Sequence, residues 1–150
     1  MKQDFAILVA EDDPSDVELL RLAMRRAGIF NPLSVVNDGQ EAIDYLKGEG
    51  EFCDRNKFPF PKIVITDLKM PRRTGFELLA WVRNHPECKV LPTVLMSGSG
   101  LPNDVQRAYG LGVNSYFRKP TSLGELTTLM DLLKNYWSRA EVPAPPSDCR

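Results

Sequence analysis

Histidine is almost missing from this chain, since His85 is the only one. That excludes a histidine-rich metal site and any Ser-His-Asp triad built on another histidine. His85 precedes Pro86 at a helix end, not on a helix face, which makes it a poor phosphotransfer histidine. The three cysteines, Cys53, Cys88 and Cys149, are scattered and form no CxxC pair. Zinc spacing is therefore absent, and an odd number argues against a disulfide framework. A reducing, cytoplasmic home is expected. No apolar run approaches membrane-spanning length, and Met1-Lys2-Gln3-Asp4 leads straight into a strand, so neither a membrane span nor a signal peptide is expected. Charge of one sign is also lacking: 19 basic and 20 acidic residues leave a net charge of -1. Nothing here drives the chain toward nucleic acid or an anionic membrane.

What remains is an ordinary globular composition, 43% hydrophobic and 26% charged over 150 residues, which suits one domain. The most informative stretch is Ile63-Val64-Ile65-Thr66-Asp67-Leu68-Lys69-Met70-Pro71. A continuous apolar run bounded by chain breakers reads as a strand buried on both faces. A buried, unpaired carboxylate is costly. Asp67 therefore belongs at the strand's C-terminal tip, at the mouth of a cleft.

The rest of the chain repeats that pattern. Phe5 to Ala10 is a first strand; Asp13-Pro14 opens a helix closed by Gly28. Leu33 to Val36 is a second strand, Asn37-Asp38-Gly39 a turn, and Glu41 to Lys47 a helix. Gly48 to Pro61 is an unusually long connection carrying Phe52, Phe58 and Phe60. Its aromatics either pin it to the domain, the reading favoured here, or offer a partner surface. A third helix starts at Gly75 and stops at Asn84-His85-Pro86. Pro92 to Met96 is a strand ending at Ser97, Pro102 opens a short helix, and Asn114 to Arg118 is a last strand ending in Lys119-Pro120. Ser122 and Glu125 match a capping box on the final helix. The domain is expected to span residues 1–140, with 141–150 a disordered proline-rich tail. Five βα units imply a parallel sheet with helices on both faces.

In such sheets ligands sit beyond the carboxyl ends of the strands. Glu11 and Asp12, Asp67, Ser97 and Lys119 all fall at those ends. Two carboxylates about 4 Å apart repel by about 4 kcal/mol at an effective dielectric of about 20. Three together call for a cation, and a set of hard oxygen donors selects Mg2+ or Mn2+. Asp67 is the best nucleophile for an incoming phosphoryl group, with the Lys119 ammonium and the Ser97 hydroxyl placed to contact its oxygens.

These residues resemble the receiver domains of two-component response regulators (CheY-like). The resemblance rests on Leu8-Val9-Ala10-Glu11-Asp12-Asp13, on Asp67 followed by Met70-Pro71 and Gly75, on Pro92 through Ser97-Gly98, and on Tyr116-Phe117-Arg118-Lys119-Pro120. It implies a flavodoxin-like, doubly wound α/β fold with a five-stranded parallel sheet in the order 2-1-3-4-5. It further implies Asp67 as phosphoacceptor and Mg2+ held by Glu11, Asp12, Asp67 and the backbone carbonyl of Lys69. Ser97 and Tyr116 would be the switch pair, Lys119 the phosphate-contacting lysine, and the Lys119-Pro120 bond cis. Glu11 and Ser97 replace the commoner Asp and Thr, Thr74 stands where Asp is frequent, and Gly98 where Ala is frequent. These departures bear on rates and phosphoryl lifetime, not on the chemistry. The 48–61 connection and the Asn135-Tyr136-Trp137 ending resemble stand-alone regulators associated with bacterial phytochromes.

The implied function is a phosphorylation switch with no output domain, not an enzyme acting on a separate substrate. Its partners would be a sensor histidine kinase, of phytochrome type, or a histidine phosphotransfer protein, and a downstream protein. A homodimer through the face of the fourth helix, fifth strand and fifth helix also fits. Among rivals, an aspartate-nucleophile phosphotransferase usually carries a second acid two residues on, where this chain has Lys69. A flavodoxin-type module needs a phosphate-cradling first loop, where this chain has Glu11-Asp12-Asp13. A degenerate receiver used as a scaffold would not need every site residue, and all are present.

Overall fold

The computed structural model describes residues 1, 2 and 4–146. In chain order the elements are β1 (Ile7–Ala10), α1 (Pro14–Arg26), β2 (Leu33–Val36), α2 (Gly39–Lys47), β3 (Ile63–Thr66), α3 (Gly75–Asn84), β4 (Thr93–Ser97), α4 (Pro102–Gly110), β5 (Ser115–Arg118) and α5 (Leu123–Arg139). A 3₁₀ turn at Gly50–Phe52 interrupts the long connection. The strands form one parallel sheet in the order β2-β1-β3-β4-β5.

The side-chain alternation of a strand explains the two layers. Ile7, Val9, Ile63, Ile65, Val94 and Met96 face α1 and α5, meeting Leu20, Ala23, Met24, Leu126, Met130 and Leu133. Leu8, Ala10 and Val64 point the other way, onto Ala42, Ile43 and Leu46 of α2 and Leu78 and Val82 of α3. Leu95 continues that layer against Leu79, Phe76 and Ala108. The three central strands are buried throughout, as their unbroken apolar runs require.

Some boundaries differ from the sequence reading. Phe5 and Ala6 are buried but precede the β1 ladder. The residue beside Ala6 on the β2 side is Pro32, which has no N–H to donate. The last strand starts at Ser115, because Asn114 spends its side-chain oxygen on the Thr93 N–H. Helix α2 starts earlier than expected, at Gly39. Asp38 is its N-cap, accepting from Glu41 N, so the expected turn is a helix start. Ser122 accepts from Glu125 N as expected. A full reciprocal capping box occurs instead at Thr74 and Glu77 of α3.

The Lys119-Pro120 bond, expected cis, is trans, like every peptide bond among the described residues. Trans is the intrinsically favoured isomer by about 0.5–1 kcal/mol. In this isomer Lys119 N donates to Ser97 O at 2.7 Å while its ammonium reaches β1 and α1.

The 48–61 connection is pinned. Phe52 and Phe58 pack on each other and on Tyr45 with ring centroids 5.1–6.0 Å apart. Arg55 donates to the carbonyls of Tyr45, Leu46 and Phe58, which satisfies the last turn of α2. Beyond α5, Val142 packs against the core. The part of the expected disordered tail at 147–150 lies outside the described residues.

Candidate functional site

The carboxyl ends of the strands open onto a crevice bordered by Asp16, Asp67, Lys69, Ser97, Ser99 and Lys119. Asp67 N donates to Ala10 O at 3.0 Å, which holds the tip of β3 against that of β1. The turn after Asp67 is tight: Gly75 N donates to Leu68 O at 2.8 Å. A Cβ on Gly75 would lie 2.3 Å from Asp67 O, so only glycine lets α3 start this close to the acidic residue.

Glu11 and Asp12 follow β1 directly. Glu11 is buried; its Oε1 accepts from Asp13 N at 3.1 Å and its Oε2 lies 2.7 Å from Lys119 Nζ. Asp12 is exposed. The Asp67 side chain is 14% exposed; Oδ2 lies 3.6 Å from Lys119 Nζ, and Oδ1 accepts from Leu68 N at 2.7 Å. One oxygen from each of Glu11, Asp12 and Asp67 lies within 4.8 Å of the other two, the one cluster of this kind among the described residues. An all-oxygen set with no Cys or His fits a hard divalent cation. Lys69 is exposed and borders the same crevice.

Burial pushes the Glu11 carboxyl above its ordinary range, and the hydrogen bond from Lys119 works against that rise. Burial alone would lower the Lys119 ammonium. Its hydrogen bonds to Glu11 and Asp16 and the charge of Asp67 outweigh burial and raise it instead. The site thus holds a firmly charged lysine among carboxylates.

Ser97 is buried at the end of β4, where its Oγ accepts from Ser99 N at 3.1 Å. Tyr116 is half-buried, and its hydroxyl donates to Ser99 O at 2.7 Å. The expected switch pair therefore meets through Ser99, whose own hydroxyl donates to Asp104 at 2.6 Å. Ser99 escaped sequence reasoning, as did two other groups. Asp16 reads in sequence as a helix first-turn charge, yet it lies 2.9 Å from Lys119 Nζ. Its position one turn into the helix that leaves the first strand tip was the available signal. Arg72 takes a left-handed φ of 62° and pairs with Asp38 through Nε at 2.8 Å and Nη2 at 3.1 Å. Gly39 N also donates to Arg73 O at 3.1 Å. Together these bonds staple the loop after Asp67 to the start of α2. Burial raises the Asp38 carboxyl, but the Arg72 hydrogen bonds and charge, together with backbone N–H groups at the start of α2, outweigh it and hold the group below its usual range.

Residues 7–131 match the family model of the response regulator receiver domain. The chain belongs to that family. FilR2 of Methanothrix harundinacea, a probable methanogenesis regulatory protein, is 32% identical over 136 residues, covering 89% of this chain and 83% of the relative. The response regulator Rcp1 of Synechocystis sp. is 30% identical over 131 residues, 87% of each protein. The structure of the Mn2+-bound form of Rcp1 is similar at a TM-score of 0.81 and 29% identity, covering 93% of this chain and 99% of that one. The phosphorylated cyanobacterial phytochrome response regulator RcpA is similar at a TM-score of 0.85 and 30% identity, covering 94% and 99%. The receiver domain thus has the CheY-like, flavodoxin-like fold of a signalling protein. Among its described residues no helix is long and apolar enough to cross a membrane.

Proposed function

We propose that this receiver domain is a phosphorylation switch in which Asp67 accepts a phosphoryl group from a histidine kinase or a histidine phosphotransfer protein. The observation that carries the reading is the gathering of Glu11, Asp12 and Asp67 beside the Lys119 ammonium at one crevice. In the transfer, an Asp67 carboxylate oxygen attacks phosphorus and the P–N bond of the donor phosphohistidine breaks. The electron pair leaves on the imidazole nitrogen, which takes up a proton, and an acyl phosphate remains. Glu11, Asp12, Asp67 and the Lys69 carbonyl would hold Mg2+, which supplies charge stabilisation to the transferring phosphoryl oxygens. Lys119 contributes a further positive charge to those oxygens. The phosphorylated RcpA and the Mn2+-bound Rcp1 support this reading by similarity.

The added charge then draws the Ser97 hydroxyl toward the phosphoryl group. That breaks its bond with Ser99 N and loosens the loop to which the Tyr116 hydroxyl is tied. Tyr116 turns inward and alters the face of α4, β5 and α5, a two-state element biased by local electrostatics. Leu101, Tyr109, Leu132 and Tyr136 are exposed on or beside α4 and α5, which suits reading by a partner protein or by a second copy. The similarity to phytochrome response regulators makes a phytochrome-type kinase the donor to try first.

Incubation with acetyl phosphate and Mg2+ followed by intact-mass measurement tests the switch. One phosphoryl adduct is expected, lost on chelation of the metal and lost in Asp67→Asn. An adduct that persists in Asp67→Asn would overturn the assignment.

A further inference from the structure

Lys119 does not sit symmetrically among its carboxylates. Nζ is 2.7 Å from Glu11 and 2.9 Å from Asp16, but 3.6 Å from Asp67. An ammonium has three donors, and the two short contacts are with Glu11, just after β1, and with Asp16 of α1, not with Asp67. Glu11 and Asp67 belong to the cluster suited to a cation, whereas Asp16 does not. Asp16 lies in the first turn of α1, a helix started by the Asp13 cap and Pro14, and its side chain is 38% exposed at the rim. Its partner lies 103 residues away, so this contact ties α1 to the segment joining β5 and α5.

We propose that Asp16 is a positioning residue that holds Lys119 on the α1 side of the crevice and competes with a phosphoryl group on Asp67 for that ammonium. The inference rests on the reading of Asp67 as phosphoacceptor. A phosphoryl group there draws Lys119 toward Asp67, and the Asp16 contact is given up. Asp16 therefore opposes phosphoryl occupancy, and its release frees α1 from the β5-to-α5 segment. The exchange has room, because Glu11, Asp16, Asp67 and Lys119 all line one small cavity, closed on its other side by apolar residues such as Leu20 and Met96.

The test uses beryllofluoride, an inorganic phosphoryl mimic, titrated with Mg2+ onto the full chain. Asp16→Asn and Asp16→Ala are expected to bind it about two- to fivefold more tightly, the scale of a rim ion pair. Asp16→Glu, which keeps the charge, is expected to bind as the parent does. In a Lys119→Met background, Asp16→Asn is expected to change nothing. A merely structural role for Asp16 would produce the same effect with or without Lys119, and that result would overturn the proposal. If the parent binds beryllofluoride and Asp16→Asn binds it equally or less tightly, this inference falls while the phosphoacceptor reading stands. If the parent does not bind it, both fall.

Discussion

Two half-buried cations sit at opposite ends of the sheet, and they are satisfied in different ways. At the amino ends of the strands, Arg83 donates to five acceptors: the carbonyls of Gly112, Lys89 and Leu91, the Thr93 hydroxyl and the Asn114 amide oxygen, at 2.8–3.2 Å. All five guanidinium N–H groups are used, and no partner is charged. At the carboxyl ends, Lys119 meets only carboxylates. Burial lowers Arg83, whereas the carboxylates raise Lys119 despite its burial. Backbone carbonyls cannot leave their cation without unfolding something. Carboxylate side chains can be taken by a metal or matched by a phosphoryl group. The first end is a clamp and the second, on the proposed reading, an exchangeable site.

Removing each cation in turn separates the two roles. Arg83→Met leaves five acceptors without their donor and is expected to cost about 3 kcal/mol of stability in urea unfolding, since hydrogen bonds from charged groups are worth about 1.5–3 kcal/mol each and water replaces only some. Its Mg2+ affinity should match the parent's. A change in Mg2+ affinity there would erase the distinction between clamp and site. Lys119→Met is expected to cost less, about 1–2 kcal/mol without metal, because Asp16 and Asp67 reach solvent at the crevice and the buried Glu11 keeps its bond from Asp13 N. Mg2+ should bind that variant several-fold more tightly, since the competing ammonium is gone, and should restore its melting temperature. If Mg2+ restores Arg83→Met equally, the two ends do not differ as described.

The smallest effect concerns Asp38, which caps α2 and anchors Arg72. Asp38→Asn keeps a cap and loses the ion pair, so a loss below about 1 kcal/mol is expected at neutral pH. The pH dependence carries the sharper signature. The folded carboxyl is held below its unfolded value of about 3.8, so its contribution is complete above that pH and is lost as pH falls through the folded value. Asp38→Asn should therefore lower the neutral plateau by that small amount and flatten the acid limb of the stability curve. Chemical denaturation from pH 2 to 7 reads this directly, and an unaltered acid limb would remove Asp38 from the account.

Much of the fold was legible because strands β1, β3 and β4 are buried on both faces, which leaves uninterrupted apolar runs in the sequence. Each run ends where the chain reaches the crevice, so Glu11, Asp12, Asp67 and Ser97 stand out as polar residues at strand tips, whereas Lys119 follows the half-exposed β5 and is placed by the order of the βα units. The cap at Asp38 was harder to see, since an Asn-Asp-Gly stretch suits a turn as well as a helix start. The trans Lys119-Pro120 bond was unreadable, because both isomers of an X–Pro bond are accessible and surrounding contacts choose between them.

The sequence alone settled the order of βα units, the placement of acids, hydroxyl and ammonium at strand tips, and the hard-oxygen character of the site. These follow from local periodicity and from the alternation of strands and helices. Only the tertiary structure decided that Lys119 lies nearer Asp16 than Asp67, that Arg72 is tied to Asp38, and that Arg83 clamps the far end of the sheet. Those contacts join residues 103, 34 and as many as 31 positions apart. They exist because parallel crossovers bring distant strand ends together, and no local pattern states which of several nearby carboxylates an ammonium will choose.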